Sequence, residues 1–418
     1  MTPSSGLLRR ARRLPAAALA VFIALVGAPV AASAADSACA YLTRTIVHEP
    51  GAALFLASYP GADPGPLQHA AFLYDNAVAA IALVGCGQAA QAQRIGDAML
   101  LGLEHDRYWH DGRLRNAYAA GSVGDSPLKL SGWWDARSSR WLEDNYQTGS
   151  DSGNMAWALL ALLTLASDAR AREPQHGAGR YSRGALALAQ WLLSLRDVRG
   201  EGGFTGGSFG SDAAPQHLLW KSTEHNIDLA AAFERLAAAT ADASWRSPAQ
   251  AAAHFVASMW DVHSGSFAAG TGLDGMTRNP LQALDAQIWP LLALPEAINR
   301  YPAALPHAMQ RLGAAGGYAY SEAGGGAWTE GTAHVLLLLK RLHRDTLLRV
   351  PEAAIAAART SDGGYYATTL AALPTGFMLD TDPSKPRVYL HLEHLGAAAW
   401  VALAEQGFNP FTGARSLP

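Results

Sequence analysis

Residues 221–233 read KSTEHNIDLAAAF, in which an acidic residue, Glu224, lies in a polar cluster directly before an apolar helical run. The same order occurs five more times along the chain. The other openings are YDNAVAAIALV at 74–84, GSDSGNMAWALLALL at 149–163, ALDAQIWPLLAL at 283–294, WTEGTAHVLLLL at 328–339 and HLEHLGAAAWVAL at 391–403. A repeated unit of this size is typical of one closed or stacked array, so the repeat decides the expected architecture.

Most of these runs are followed by a second helical segment and a glycine-aromatic turn, such as GGF at 202–204 or GGY at 316–318. The predicted helix pairs are 67–84 with 88–103, 154–166 with 184–195, 223–238 with 248–259, 284–298 with 303–312, 329–343 with 352–359, and 392–406 with 37–56. No sustained β-rich region interrupts the alternation. The sequence therefore predicts an all-α fold, an (α/α)6 toroid of six inner and six outer helices with long aromatic loops.

The two helices of a predicted pair differ in their apolar pattern. The stretch AWALLALLTLA at 156–166 is apolar around its whole circumference, whereas its partner at 180–197 is amphipathic. A helix that is apolar on all sides is buried on all sides, which suits an inner ring. If the six inner helices are parallel, their acidic openings meet at one end of the toroid.

The N-terminus has the three parts of a secretory signal peptide. Four arginines precede an apolar stretch at 14–26 and a small-residue tail, Ala32-Ser33-Ala34. We therefore expect residues 1–34 to be a Sec-type signal peptide of a secreted or periplasmic protein, and 35–418 to form a single toroid domain. No later apolar run is long enough to span a bilayer, so membrane insertion is not expected.

The chain has only two cysteines, Cys39 and Cys86, and both lie in the part predicted to be exported. A disulfide persists in an oxidising compartment, so we expect the two to pair and to connect the N-terminal helix with the end of the first repeat helix. The alternative is that both are small buried thiols.

The charge of the chain narrows the classes of partner. The signal segment carries four of the 32 basic residues and none of the 35 acidic ones, which leaves 28 basic against 35 acidic residues. A mildly acidic surface without a basic stripe argues against nucleic acid and anionic membrane as partners. The sequence predicts neither a cofactor nor a catalytic metal, since His391 and His394 are not in a known ligand spacing; a structural Ca²⁺ in the acidic loops is left open.

All six acidic residues lie at or just before the starts of the predicted inner helices; they are Asp75, Asp151, Glu224, Asp285, Glu330 and Glu393. Acidic residues are also favoured there as helix caps and as partners of the helix dipole. The cluster around Glu224 exceeds what a cap needs, because Trp220, Lys221, His225 and Asn226 surround it. Fixed polar groups beside aromatic rings are typical of sugar sites, and glycoside hydrolysis needs two carboxyls.

In these features the chain resembles the six-hairpin glycosidase superfamily, the (α/α)6-barrel enzymes that act on polysaccharides. The resemblance covers nearly the whole chain after residue 34 and rests on the repeat and its acid-led inner helices. It implies an active cleft at the N-terminal ends of the inner helices, and hence a glycan substrate. Oligomeric state is not predicted.

Within that cleft, Glu224 is the expected general acid, because Lys221, His225 and Asn226 could orient a sugar and tune its carboxyl. Asp75 and Asp151 are the candidates for the base or nucleophile. Expected substrate-binding residues near the helix starts are Asn154, Trp220, Lys221, His225, Asn226, Asp285, Gln287, Trp328 and Glu330. Glu393 is a candidate for a structural role.

The loop at 104–148 is long and rich in tryptophan, which argues for an ordered binding wall. Its expected substrate-binding residues are Trp133, Trp134, Trp141 and Tyr146.

Two other functions remain open. A polysaccharide lyase or sugar epimerase on the same scaffold would use a Tyr or His base and basic residues, for which Lys221, His225, Arg113, Arg115 and Tyr146 are available. A non-catalytic glycan-binding protein of a polysaccharide export system would keep the aromatic cleft and no catalytic carboxyls.

Overall fold

The computed structural model describes residues 37–124, 126–172, 179–379, 382 and 384–415. The predicted signal peptide, residues 1–34, lies outside the described residues. Helices are the main elements of the described chain. They are α1 Ala38–His48, α2 Leu73–Gly85, α3 Ala89–Glu104, α4 Ser152–Arg172, α5 Gly179–Leu193, α6 Thr223–Thr240, α7 Arg246–Ser258, α8 Leu284–Ala293, α9 Ala297–Arg300, α10 Ala304–Arg311, α11 Thr329–Arg341, α12 Arg349–Ala357 and α13 Leu395–Gln406.

The helices form two concentric rings. The inner helices are α2, α4, α6, α8, α11 and α13; each packs on the next, and α13 packs back on α2. The outer helices α3, α5, α7, α10 and α12 pack on the inner helices that precede them, and α1 packs on α13. The predicted (α/α)6 toroid is confirmed, including the pairing of the first described helix with the last.

The strands are short and lie in the connections between helices. They are β1 Leu54–Phe55, β2 Ala70–Phe72, β3 Ala117–Ala119, β4 Gly121–Ser122, β5 Trp133–Asp135, β6 Arg140–Leu142, β7 Ser150–Asp151, β8 Gly207–Phe209, β9 Gln216–Leu218, β10 Trp260–Asp261, β11 Ser266–Phe267, β12 Gly270–Thr271, β13 Arg278–Asn279, β14 Gly313–Ala314, β15 Gly317–Tyr318, β16 Ala372–Met378, β17 Pro386–Leu390, β18 Phe408–Asn409 and β19 Ala414–Arg415. They pair as antiparallel two-stranded ribbons, except that β7, β8 and β9 form a three-stranded sheet.

The lumen of the inner ring is filled by aromatic side chains. Trp157, Trp289 and Trp400 come from three inner helices, and their ring centroids lie 5.4 to 5.8 Å apart. Phe411, from the turn of the C-terminal β18–β19 ribbon, packs against all three tryptophans. Burial of such large rings contributes strongly to the core, and here it also closes the toroid at one end.

Several predicted helix boundaries were wrong. The outer helix predicted at 37–56 ends at His48, and Leu54–Phe55 pair with Gly121–Ser122 as strands.

Two inner helices are also shorter than predicted by five residues or more. Residues 67–72 do not begin the first inner helix, because Ala70–Phe72 pair with Ala117–Ala119 as strands. The helix α8 ends at Ala293 rather than at residue 298, and Leu294 is extended. Proline at position 295 explains where α8 ends, since a residue that precedes proline is disfavoured in the helical region.

Cys39 and Cys86 form a disulfide, as the sequence predicted. Cys39 lies on α1, the outer partner of α13, whereas Cys86 directly follows α2. The bond therefore connects the sixth hairpin to the first, where the ring closes.

We predict that the double variant Cys39→Ser with Cys86→Ser keeps the toroid and unfolds more easily. The disulfide joins residues 47 positions apart, and a cross-link of that span contributes roughly 2 to 4 kcal/mol by restricting the unfolded chain. Urea denaturation followed by circular dichroism measures the difference, and wild type with a reducing agent should match the variant. Equal unfolding midpoints for oxidised, reduced and variant protein would show that the bond does not stabilise the ring.

Candidate active site

Side-chain amides in the first turns of the inner helices bind the backbone of the preceding turn. The amide of Asn226 accepts from Phe204 N at 2.9 Å and donates to Phe204 O at 3.1 Å. Gln287 makes the same pair of bonds with Phe267, both at 2.8 Å. Asn76 repeats the arrangement with Leu56, at 2.8 and 3.0 Å. We call these pairs the first-turn amide contacts; they fix the starts of α2, α6 and α8 against the loops before them.

These contacts explain where three predicted substrate-binding residues lie. Asn226 and Gln287 are buried in the first-turn amide contacts and do not line the cavity described below. Lys221 is also buried, with Nζ 2.7 Å from Arg199 O and 3.2 Å from Asp197 Oδ2. The polar cluster around Glu224 is thus largely structural, which corrects our assignment of these three side chains to ligand binding.

A cavity of about 490 Å³ opens where the inner helices begin. Five of the six acidic residues line it: Asp75, Asp151, Glu224, Asp285 and Glu330. Tyr146, Asn154, Trp220, His225 and Trp328 also line it, so ten of the predicted site residues meet there.

The sixth acidic residue, Glu393, lies outside the cavity. Its carboxyl accepts hydrogen bonds from Tyr41 OH and from Thr360 Oγ1, the latter at 2.9 Å. The next residue, His394, lines the cavity in its place and caps α13 by accepting from Ala397 N at 3.3 Å.

Capping does not account for Glu224. The side chain that caps α6 is Ser222, whose Oγ accepts from His225 N at 3.3 Å. Of the five cavity carboxyls, only Glu224 is partly exposed, whereas Asp75, Asp151, Asp285 and Glu330 are buried. Glu224 is therefore the carboxyl among them that a ligand in the cavity reaches most directly.

Glu224 and Asp285 share one corner of the cavity, and the buried carboxyl of Asp228, which does not line the cavity, lies near them. Burial raises the pKa of Glu224 well above the ordinary value, and the nearby carboxyls of Asp285, Asp228 and Glu330 raise it further. Burial also raises the pKa of Asp285 to about 6, although the N–H of Ala286, 2.6 Å from its carboxyl, acts in the opposite direction. Neighbouring carboxyls cannot all ionise, so this corner holds a proton near neutral pH.

Asp228 lies one helical turn after Glu224 on α6 and is completely buried. Burial raises the pKa of Asp228 well above its usual range, and the charge of Asp285 acts in the same direction. The indole of Trp157 faces this carboxyl from the neighbouring helix α4. Sequence reasoning did not single out Asp228, although an acidic residue inside an apolar run was a visible signal.

A second carboxyl corner lies across the ring, around His394. Its Nε2 is 3.3 Å from Asp75 Oδ2, and its Nδ1 is 3.9 Å from Glu330 Oε2. Burial disfavours the charged imidazole, but the carboxyls of Asp75 and Glu330 together more than offset it, so the pKa of His394 is raised. Gly396 makes room for this arrangement, since a Cβ there would lie 2.7 Å from Asp75 Oδ1 and 3.2 Å from Glu330 Oε2.

Glu330 is the most enclosed acid of this corner. Tyr74 donates its hydroxyl proton to Glu330 Oε1 and accepts from Trp400 Nε1 at 2.8 Å. Burial raises the pKa of Glu330 to about 8, although the His394 charge and the Tyr74 hydroxyl lower it in part. One turn along α11, burial lowers the pKa of His334 well below its usual range, and His334 accepts from Trp289 Nε1 at 3.1 Å.

His225 and Asn154 occupy the third side of the cavity, next to Asp151. His225 Nδ1 is 3.0 Å from Ser152 Oγ, and burial lowers the pKa of His225 to about 3, so its ring is neutral. Asn154 donates to Asn116 Oδ1 at 2.8 Å and to Tyr146 OH at 3.3 Å. The ring of Trp220 meets His225 edge-on, with centroids 5.3 Å apart.

The walls of the cavity are aromatic and were only partly predicted. Tyr59 stacks on His394 with ring centroids 4.6 Å apart, and Tyr320 contacts Trp328 at 4.8 Å and Tyr389 at 5.7 Å. Tyr389 belongs to the β16–β17 ribbon, which also brings Arg387 to the cavity, 5.3 Å above the Tyr146 ring. Sequence reasoning missed this ribbon; the alternating stretch PRVYL at 386–390 was its only signal.

The loop at 104–148, predicted to be a binding wall, contributes only some of its predicted residues to the cavity. Tyr146 lines the cavity together with Asp144 and Gln147. Trp133, Trp134 and Trp141 do not line it, because they lie on the β5–β6 ribbon of the same loop.

Of the residues proposed for a lyase, Tyr146 and His225 line the cavity, whereas Arg113, Arg115 and Lys221 do not. Arg115 is buried between Asp106 and Asp212, and Arg113 pairs with Asp111 over the Trp109 ring. Among the described residues, no group of three or more His, Cys, Asp or Glu side chains is arranged to hold a metal ion, and no helix combines the length and apolar character of a membrane span.

Many solved structures are similar to this chain, among them a glycosidase, an epimerase and a mannanase. A glycosidase variant in complex with glucose is 15% identical, with a TM-score of 0.58, over 88% of this chain and 95% of its own. Cellobiose 2-epimerase from Bacillus thermoamylovorans is 12% identical, with a TM-score of 0.57, over the same shares of the two chains. The chain thus shares the (α/α)6 toroid fold of these proteins.

An α-mannanase of glycoside hydrolase family 76 from Bacteroides thetaiotaomicron has the same fold; it is 12% identical, with a TM-score of 0.52, over 89% of this chain and 95% of its own. No protein-family model and no curated protein matches the sequence. The shared fold includes both hydrolases and an epimerase, so the side chains of the cavity must decide between these chemistries.

We predict that Glu330→Gln changes how stability depends on pH. Burial raises the pKa of Glu330 from 4.5 to about 8, so between these values the folded chain keeps a proton that the unfolded chain releases. The wild type therefore loses stability as pH rises from 5 to 8, and the variant loses less, by up to roughly 4 kcal/mol. Urea denaturation at both pH values measures this, with the exposed Glu322→Gln as control. A wild-type-to-variant difference that stays constant with pH would contradict the expectation.

Proposed function

We propose that this chain hydrolyses a glycosidic bond of an uncharged glycan held in the cavity. The observation that carries the proposal is the corner formed by Glu224 and Asp285, with the buried Asp228 near them. It holds a proton on an accessible carboxyl among buried ones, and a second set of carboxyls lies across the same cavity. A protonated acid opposite a carboxylate is the arrangement that glycoside hydrolysis needs.

Glu224 is the general acid in this proposal. Its carboxyl stays protonated near neutral pH because it is desolvated and because Asp285 and Asp228 repel its charge. Among the five inner-helix acids of the cavity it is the one that is partly exposed, so it can give its proton to the leaving glycosidic oxygen.

Asp75 is the base in this proposal, and Asp151 is the second candidate. The imidazole Nε2 of His394, 3.3 Å from Asp75 Oδ2, supports the charged carboxylate. Asp151 is held by a hydrogen bond from its own N–H to Asn116 Oδ1 at 2.7 Å, which fixes it beside Asn154. The water to be activated would lie between one of these carboxylates and the anomeric carbon.

The charges of the cavity favour an uncharged sugar over a uronate. Among the described lining residues, Arg387 is the single arginine or lysine, and it stands against six acidic side chains, the five inner-helix acids and Asp144. A uronate substrate of a lyase needs its carboxylate neutralised, and Arg113, Arg115 and Lys221 lie elsewhere. These observations support the hydrolase over the lyase.

An epimerase remains the second candidate because His225 and His394 both line the cavity. An epimerase of this kind needs a base that takes a proton from carbon. Burial lowers the pKa of His225 to about 3, which makes this imidazole a weak base. The pKa of His394 is raised, but its Nε2 is engaged with Asp75 Oδ2 at 3.3 Å. The protonated Glu224 corner fits hydrolysis better, because it supplies the acid that bond cleavage requires.

We predict that Glu224→Gln lowers turnover at least about a thousandfold, since the amide cannot donate the proton that departs with the leaving group. The measurement is initial-rate release of reducing ends from a panel of neutral oligosaccharides. Glu393→Gln is the matched control, because Glu393 also precedes an inner helix but lies outside the cavity, and we expect it to keep wild-type turnover.

Three outcomes are informative. Loss in Glu224→Gln with activity in Glu393→Gln supports the proposal. Undiminished turnover in Glu224→Gln would remove Glu224 as the acid. If no glycan is turned over by the wild type, the non-catalytic glycan-binding reading replaces the hydrolase.

We also propose that the protein is exported and acts in the periplasm or outside the cell. The signal-like sequence of residues 1–34 and the disulfide between Cys39 and Cys86 support this, because disulfides persist in oxidising compartments. Expression of the full chain in a bacterial host followed by intact mass measurement should show a mature chain that begins at Ala35 in the exported fraction. An unprocessed chain that stays in the cytoplasm would refute export.

A further inference from the structure

The β5–β6 ribbon presents two tryptophans to solvent. Trp134 and Trp141 face each other as a directly opposed pair in the antiparallel register. Directly opposed residues lie on the same face of a ribbon, and these two side chains are 62% and 53% exposed. Single exposed apolar residues are ordinary, but two opposed tryptophans place a large aromatic area at one point of the surface.

The ring of Trp141 is held in its exposed position by the chain itself. A Cβ at Gly132 would lie 2.4 Å from Trp141 Nε1, so the indole lies against the bare backbone of this buried glycine. One side of the ring is thereby supported by the ribbon, and the side chain still keeps half of its surface in solvent. A flat, supported and accessible ring is the geometry on which a sugar ring packs.

The ribbon lies at the cavity end of the toroid. Its loop connects outer helix α3 to inner helix α4, so it leads to the end at which the inner helices begin. Asp144, a lining residue of the cavity, follows Trp141 by three positions. Three residues span at most about 11 Å, so a glycan that leaves the cavity reaches the tryptophan pair within a short distance.

We propose that Trp134 and Trp141 form a platform outside the cavity that binds a distal sugar ring of the same glycan. This inference rests on the proposed function for the identity of the ligand. It adds that the substrate is a chain longer than the part held among the carboxyls. A second copy of the protein is a poorer occupant: two tryptophans bury roughly 300 to 500 Å², below the roughly 800 Å² per partner of a stable interface.

The first test measures binding without turnover. In the Glu224→Gln background, gel electrophoresis through soluble starch, yeast mannan and laminarin should show retardation in at least one polysaccharide. Adding Trp134→Ala with Trp141→Ala should weaken the apparent affinity roughly threefold to tenfold. The double Phe variant should retain most of the retardation. Val262→Ala, which trims a still more exposed apolar residue in the β10–β11 turn, should retain all of it.

The second test uses chain length in the otherwise wild-type enzyme. The double Ala variant should raise KM for long glycans by the same factor and leave kcat, and KM for an aryl monoglycoside, unchanged. A rise in KM for the monoglycoside as well would overturn the platform, because the pair would then belong to the site of cleavage.

The two proposals fail separately. Cleavage by wild type together with no tryptophan-dependent retardation overturns the platform and leaves the hydrolase. Tryptophan-dependent retardation without any cleavage overturns the hydrolase and leaves the platform. Gel filtration that shows a wild-type dimer and a monomeric double Ala variant would assign the pair to self-association instead, and overturn the proposal.

Discussion

The first-turn amide contacts are the constraint on which the cavity depends. A turn that approaches the start of an inner helix brings a backbone N–H and C=O into a buried position, and such groups must find partners. Asn226 and Gln287 supply both partners from the helix side, to Phe204 and Phe267. The starts of α6 and α8, and of α2 through Asn76, are thereby held in one orientation, and the acidic residue one or two positions earlier in the chain is directed into the lumen.

This explains how a ring of carboxyls arises in a well-packed protein. Closing the lumen below them with Trp157, Trp289, Trp400 and Phe411 removes water from beneath the acids and makes their charged forms costly. Too few cations face the cavity to balance six acidic side chains, so protons remain on some of them. The same burial that stabilises the toroid therefore produces protonated carboxyls beside ionised ones, which is the condition for acid and base catalysis in one site.

The fold was predictable from the sequence because a repeated sequence unit encodes each hairpin. Six acid-led apolar runs gave the inner ring, and the position of residues 37–56 gave the outer partner of the last helix. The five cavity acids followed from the same pattern. The sequence did not distinguish polar residues that face a ligand from polar residues that hold the fold together. Lys221, Asn226 and Gln287 look like site residues, but each binds a backbone group that is distant in sequence.

The walls of the cavity were harder to predict than the ring of acids, again because tertiary contacts decide their position. Tyr59, Tyr389 and Arg387 come from loops and ribbons whose place around the cavity is set by tertiary packing, and short strands carry weak periodicity. His394 shows most clearly what the sequence pattern cannot predict. The sequence favours its neighbour Glu393 as the repeat's sixth acid, yet Tyr41 and Thr360 hold that carboxyl outside, and the histidine enters the ring in its place.

The central claim is that the carboxyls of this cavity catalyse hydrolysis of a glycosidic bond. Isotope incorporation tests this claim most directly. The protein is incubated with a neutral oligosaccharide in water enriched in ¹⁸O. The masses of the first products are measured by mass spectrometry before their reducing-end oxygens exchange with water. Hydrolysis predicts two shorter glycans, one of which carries a single ¹⁸O at its new reducing end. Products with an unsaturated sugar and no ¹⁸O, or a product of unchanged mass with an inverted carbon, would contradict it and assign the cavity to a lyase or an epimerase.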